Sequence, residues 1–295
     1  MNPCRCPGNF RQVSRDSDYS RTINRHYGVG DLSARILERL RAAGKDPATV
    51  TRDDLATFDE FHTGGRESTR ELARLAGIRP GMRVLDVGSG IGGPARTLAA
   101  EYGAAVVGLD LTEEFCRAAA TLTDLVGLAN RVTFRHGNAL AMPFEDGRFD
   151  VVWSQNSIMN VPDHARLFAE MHRVLVPGGT LALEAVFAGP VAGIIFPTFW
   201  ASAPELNFLM VPVAARALLG TAGFREVLWE DTTADTLDHA RRRRPPPPAP
   251  EAAPALGRDT IVLEDVARKI ENAVRNLEQA RIVTVRAVLR RGETM

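Results

Sequence analysis

From Val84 to Ala99 the chain reads VLDVGSGIGGPARTLA. An apolar run passes through a glycine turn straight into a helical pattern, and this order restricts the fold more than any other stretch. Short buried strands tied to helices by tight turns pair in parallel and need helices on both faces. Pro94 suits the first helical turn, where its missing N–H costs nothing, and Gly103 supplies the stop. The pattern then repeats. AAVVGLD is a second strand, followed by Thr112 as the expected N-cap, with Glu113 and Glu114 beside the positive helix end. RVTFRHG, FDVVWSQ and TLALEAVF read as strands three to five, with Asp163 capping HARLFAEMHRVL between the last two. FREVLWED and RIVTVRAVLRR read as strands six and seven. The alternation predicts an α/β fold with a doubly wound sheet.

Upstream, LSARILERLRAA sets Leu32, Ile36, Leu37 and Leu40 on one helical face and ends at Gly44. Residues 66–76 form a second helix stopped by Gly77. The expected division is an unstructured leader over 1–20, a helical cover over 21–80 and the main domain over 81–295. The stretch RRRRPPPPAPEAAPA, residues 241–255, reads as an exposed polyproline insertion within that domain rather than a nucleic-acid signal. An amphipathic helix resumes over 260–280.

Composition enters as a set of exclusions. Lys+Arg and Asp+Glu both number 36, so no global field draws polyanions or anionic lipid. No apolar run approaches the roughly 18–20 residues that cross a bilayer. The first twenty residues are polar and lack the apolar core of a secretory signal, so a cytoplasmic location is expected. Cys4 and Cys6 have no second ligand pair, Cys116 falls in a helix, and His136, His164 and His172 lack ligand spacing. No metal site is expected, and His164 and His172 read as solvated helix surface.

The glycine loop itself admits two ligands. Gly88, Gly90 and Gly93 fit the dinucleotide spacing, and Asp110 stands at the end of the second strand, 22 residues past Gly88, where an acid accepts from ribose hydroxyls. A smaller adenosine compound meets the same description. Asp86, two residues before the first glycine, separates them. A carboxylate about 4 Å from a diphosphate opposes it by roughly 4 kcal/mol per charge pair at an effective dielectric near 20. No Lys or Arg stands within the loop to offset this. A ligand bearing an ammonium and a sulfonium gains from the same carboxylate, which favours S-adenosylmethionine over a nicotinamide dinucleotide. An Asp86 turned aside to cap local N–H groups is the competing structural role.

VLDVGSGIGG, VVGLD, FRHGNALAMPFEDGRFDVVWSQNSIMNV and HRVLVPGG, in this order and spacing, resemble class I S-adenosylmethionine-dependent methyltransferases over about Leu72 to Arg291. The resemblance implies a Rossmann-like seven-stranded sheet of order 3-2-1-4-5-7-6 with the last strand antiparallel, and S-adenosyl-L-methionine as cofactor. FDEFHTGGREST and PTFWASAPELNFLMVP are similar to the sarcosine/dimethylglycine-type enzymes, which are related to those of ubiquinone and tocopherol synthesis. By this resemblance Gly88, Ser89 and Gly90 lie at the methionine moiety, beside the Asp86 chosen on charge, Asp110 holds the ribose, and Leu111, Asn138 and Ala139 flank the adenine. Ser154, Gln155 and Asn156 leave strand four beside the methyl donor. The family commonly has Asp where Asn138 stands and often His where Asn160 stands, so no catalytic His is carried over there.

Tyr27, Phe61, His62 and Trp200 are the candidates for a roof over this edge, where aromatic faces would meet a cation. Tyr27 and His62 are the catalytic candidates, His62 as the base. Phe61, Asn156 and Trp200 are assigned to the substrate, and Trp153 and Phe199 to the core. The expected reaction is in-line methyl transfer to a small-molecule acceptor, first of all an amine nitrogen. Alternatives are C- or O-methylation of a prenylated quinol or phenol, or S-adenosylmethionine binding without turnover. A nucleic-acid partner is not expected, because strand four ends in SQNS and not in an Asp/Asn-Pro-Pro-aromatic motif. Oligomeric state is not legible in the sequence.

Overall fold

The computed structural model describes residues 31–60, 62–242, 256–257, 260–261 and 265–292. The leader, Tyr27, Phe61 and most of the Pro-rich insertion lie outside the described residues. In chain order the elements are α1 (Leu32–Ala42), α2 (Arg52–Leu55), α3 (Gly65–Ala76), β1 (Arg83–Val87), α4 (Gly93–Tyr102), β2 (Ala105–Asp110), α5 (Glu113–Leu125) and β3 (Val132–His136). There follow β4 (Phe149–Gln155), α6 (His164–Val174), β5 (Leu175–Ala188), α7 (Pro212–Thr221), β6 (Phe224–Asp231), α8 (Thr233–Arg242), α9 (Val266–Glu278) and β7 (Ile282–Arg291).

The sheet has the order β3-β2-β1-β4-β5-β7-β6. Pairings from β3 to β5 are parallel, and β7 runs antiparallel to both β5 and β6. This is the order and sense that the resemblance implied. Because successive side chains of a strand face opposite sides, β1 feeds two cores. Leu85 and Val87 join Leu109, Val152, Phe168 and Leu183 on one face. Val84 joins Leu72, Ala95, Leu98, Trp153 and Ala182 on the other, under α3 and α4. The same alternation puts Asp86, Gln155 and Glu184 on this second face, Asp86 and Gln155 near the carboxyl ends of β1 and β4 and Glu184 within β5, in register with Gln155.

The cover rests on a third cluster. Asp31 caps α1 by accepting from the Ala34 N–H, and buried Leu32, Ile36 and Leu40 meet Phe58, Ala118, Leu122 and Ile91 of the glycine loop. Ile261, just past the insertion, packs here too, and Arg35 donates to the carbonyls of Thr260 and Ile261 at 3.2 Å each. The chain leaving the insertion therefore crosses back over the cover, which the sequence did not disclose.

Three local expectations are revised. Arg241 and Arg242 form the last turn of α8, where cations meet the negative helix end, and Arg241 pairs with Glu278 of α9 at 2.7 Å. They are not the start of a linker. Thr112 occupies the N-cap of α5 but its side chain caps nothing, and its N–H goes instead to Asp110 Oδ1 at 2.8 Å. His164 and His172 are half-buried rather than solvated. His164 Nε2 lies 3.0 Å from the Ile158 carbonyl, and the His172 ring sits edge-on to Phe224 at 5.3 Å.

Candidate active site

The glycine turn between β1 and α4 is shaped by two close approaches. Gly88 has φ +74°, and a Cβ there would stand 2.3 Å from that of Ser157. At Gly93 a Cβ would stand 2.2 Å from the Asp59 carbonyl oxygen, so the cover seats directly on the turn. Ser157 itself latches β4 to β1, donating to the Val87 carbonyl at 2.9 Å and meeting Ser154 Oγ at 2.6 Å. Ser154 is fully buried and closes this latch.

The two acids expected at the cofactor differ in their surroundings. Asp110 is half-buried, and its carboxylate accepts from Gly90 N–H and Thr112 N–H, both at 2.8 Å. It thereby fixes the turn. Burial still holds its carboxyl above the ordinary value. Asp86 is 2% exposed, and among the described residues its Oδ2 has no hydrogen-bond partner. Burial pushes its carboxyl up to about 7, against the pull of His62. Ser89 Oγ is likewise buried without a partner. An acid turned aside as a local cap would have both oxygens filled.

Above these acids lies a buried polar network from the cover. His62 Nε2 is 2.9 Å from Glu60 Oε2, and its Nδ1 is 3.0 Å from the Thr63 carbonyl. Both neighbours are acceptors, an arrangement that favours the doubly protonated ring. Burial pulls its pKa down, but the Glu60 hydrogen bond and the charges of Glu60 and Glu184 outweigh that and leave it raised. Glu60 is buried too, yet His62, Thr97 and Thr69 hold its carboxyl below the usual value. Thr69 bridges onward to Gln155 Oε1 at 3.1 Å, which also accepts from the Trp153 indole at 3.0 Å. Beside it Asp59 pairs with Arg96 of α4 at 2.7 Å, with the two side chains 4% and 1% exposed. Arg96 also grips the Ile91 carbonyl of the glycine turn at 2.8 Å.

Asn156 follows β4 at φ +49°, a left-handed conformation uncommon for a side-chain-bearing residue. Its N–H donates to the Glu184 carbonyl at 2.7 Å, its Nδ2 reaches Thr63 Oγ1 at 3.1 Å, and its Oδ1 is buried without a partner among the described residues. Such strain collects at functional sites.

The structure thus brings His62, Asp86, Gly88, Ser89, Gly90, Asp110, Ser154, Gln155 and Asn156 to one sheet edge. Leu111 and Asn138 flank it at the ends of β2 and β3. The Asn138 Oδ1 accepts from the Leu140 N–H at 2.9 Å in a local turn, and Ala139 packs against the core. Trp200 sits apart in a buried cluster with Met159, Val186 and Leu277, its indole donating to Asn207 and its carbonyl accepting from Asn160. Trp153 is core as expected. The residues that sequence reasoning passed over are Asp59, Glu60, Ser68, Thr69, Arg96, Glu184 and Arg286. For Glu184 and Arg286 the signal was a charge inside an apolar run, as in TLALEAVF and IVTVRAVL, because buried ionisable residues require partners.

This glycine turn on a 3-2-1-4-5-7-6 sheet defines a Rossmann-like α/β fold. Residues 85–183 match the family described as "Methyltransferase domain", as the sequence resemblance implied. Among relatives, "Methyltransferase GfsG" of Streptomyces halstedii is 35% identical over 156 residues, which are 52% of this chain and 56% of that protein. Tocopherol O-methyltransferase of Arabidopsis thaliana is 42% identical over 101 residues (34% and 29%), and glycine/sarcosine/dimethylglycine N-methyltransferase of Actinopolyspora halophila 36% over 144 (48% and 23%). The chain thus spans little more than half of the first of these relatives and less of the others. Geranyl diphosphate C-methyltransferase of Streptomyces coelicolor A3(2), solved with Mg2+, geranyl diphosphate and S-adenosyl-L-homocysteine, superposes with TM-score 0.64 at 19% identity, covering 92% of this chain and 97% of that one. No described helix is long and apolar enough to cross a membrane.

Proposed function

We propose that the chain is an S-adenosylmethionine-dependent methyltransferase that acts on a small molecule, with an amine nitrogen as the first-choice acceptor. The observation that carries the cofactor is the partnerless buried Oδ2 of Asp86 beside the glycine turn. A carboxylate in that place suits an ammonium and repels a diphosphate. Ser89 Oγ offers a second buried polar atom to the same group, and the two oxygens of Asp110 keep lone pairs for ribose hydroxyls. When bound, S-adenosylmethionine supplies a methyl group already activated as a sulfonium, so holding the acceptor in line at about 3–3.5 Å does most of the catalysis.

The protein's part is then alignment and exclusion of water. Gln155, fixed by Trp153 and Thr69, and Asn156, held in its left-handed conformation, present β4 to the acceptor. In its doubly protonated form His62 has no lone pair to take a proton, so its role passes from base to positive charge under the cover. An amine that arrives neutral needs no base for the transfer itself.

The test is thermal stabilisation by S-adenosylhomocysteine, S-adenosylmethionine and NAD at equal concentration. A ligand at a hundred times its Kd adds about 2.7 kcal/mol. Stabilisation by the first two, lost in Asp110→Ala, is expected; a response to NAD alone would overturn the proposal. Labelled donor with amines, quinols and phenols then finds the acceptor, and binding without any turnover would make the chain a sensor of the cofactor.

A further inference from the structure

Glu184 is a buried acid that the cofactor does not use. It lies mid-strand in β5, opposite Gln155 of β4 in register, and is 4% exposed. Its Oε2 accepts from Ser68 Oγ of α3 and, at 3.2 Å, from Arg286 Nε of β7. Arg286 divides its charge, since it also reaches Glu230 at 3.5 Å. Oε1 is buried with no hydrogen-bond partner among the described residues. A carboxylate kept only to hold β5, β7 and α3 together would fill both oxygens, because a buried acceptor left empty costs about 1–3 kcal/mol.

Its neighbours give the empty oxygen a direction. Gln155 and Glu184 share the sheet face of Asp86, and Glu184 contributes to the field that keeps His62 protonated. The Glu184 carbonyl fixes the N–H of Asn156, whose Oδ1 is also buried and partnerless. Two buried, partnerless acceptor atoms, one of them a carboxylate oxygen, therefore lie on neighbouring strands, on side chains that also touch Ser68 and Thr63 of the cover.

We infer that Glu184 Oε1 and Asn156 form the acceptor subsite and that it takes an amine, recognised through N–H donation to the carboxylate. This rests on the methyltransferase reading and names its substrate class. A carboxylate prefers an N–H donor that carries or gains positive charge to a neutral hydroxyl, and an ether offers it no hydrogen at all.

The experiment uses the whole chain saturated with S-adenosylhomocysteine and reads the melting temperature. Paired probes differ in one atom or group: sarcosine with methoxyacetate, phosphoethanolamine with 2-hydroxyethyl phosphate, and 2-phenylethylamine with 2-phenylethanol. At least one amine is expected to raise the melting temperature above its oxygen counterpart. Glu184→Gln should erase that difference while the stabilisation by S-adenosylhomocysteine persists, which also shows that the variant folds. Glu184→Asp keeps the charge but withdraws the oxygen, and should shrink the difference. Equal or larger shifts from every oxygen counterpart, no shift from any amine, or discrimination retained in Glu184→Gln would overturn the inference. Absence of stabilisation by S-adenosylhomocysteine in the unmodified chain would instead sink the methyltransferase reading beneath it.

Discussion

Asp86 carries the clearest conflict between stability and ligand affinity. Its ordinary value is 3.8 and burial lifts it to about 7 in the folded chain. Above that pH the folded state holds a disfavoured charge, at a cost of roughly 2–4 kcal/mol. Asp86→Asn should therefore raise the stability of the ligand-free protein at about pH 8, read by denaturant melts. The same change should weaken S-adenosylhomocysteine by about tenfold or more in calorimetry, a loss of ~1.4 kcal/mol or greater. A variant that binds as tightly as the parent would return Asp86 to a local capping role. Asp86 was legible because it stands at a fixed distance from a glycine turn. Glu60 was not: nothing local in FDEFHT tells a buried partner of His62 from a solvated acid.

Among elements, the junction of cover and glycine turn is the most exacting. Gly93 lies at the start of α4 with the Asp59 carbonyl where a side chain would go. Gly93→Ala must push the cover away, and it is expected to weaken S-adenosylhomocysteine binding and to speed proteolysis between residues 43 and 64, with the sheet intact by circular dichroism. Arg96 ties the same junction through Asp59, Ile91 and the Ala119 carbonyl. Arg96→Met would strand the buried Asp59 charge and should cost about 3–5 kcal/mol in urea melts. A loss below about 1 kcal/mol would mean that the pair contributes no more than an exposed ion pair does. The third glycine entered the sequence reading only through the motif's spacing, whereas the fold uses it as a seat for the cover.

For the whole molecule, the buried groups set opposed pH limits. Glu60 is lowered from 4.5, so its contribution is present above that value and disappears as pH falls through the folded one. His62 is raised from 6.5, so its contribution is full below 6.5 and disappears as pH rises through the folded value. Asp86 adds a penalty that grows up to about pH 7. The ligand-free protein should melt highest between about pH 4.5 and 6.5. Stabilisation by S-adenosylhomocysteine should grow from about pH 6 to 8 as Asp86 ionises against the ligand's ammonium. Melting curves at stepped pH, with and without ligand, check both; a ligand-free maximum above pH 8 would show that these groups do not govern stability.

What the sequence determined by itself was the succession of strands and helices, the glycine turn, the caps at Gly77, Gly103 and Asp163, and the acids of β1 and β2. These depend on periodicity, turn chemistry and fixed short spacings, which act within a few residues. What only the tertiary structure decided was which charges are buried and with whom. Glu184 meets Arg286 across 102 residues, and Asp59 meets Arg96 across 37. Such partners are chosen by strand register and by the face each side chain takes once helices pack on the sheet. The same packing set His62 against the buried Glu60 and placed Trp200 in a buried cluster with Met159 and Val186. The chemistry at the strand ends is local and could be read; the electrostatics that tune it arise when distant segments exclude water together.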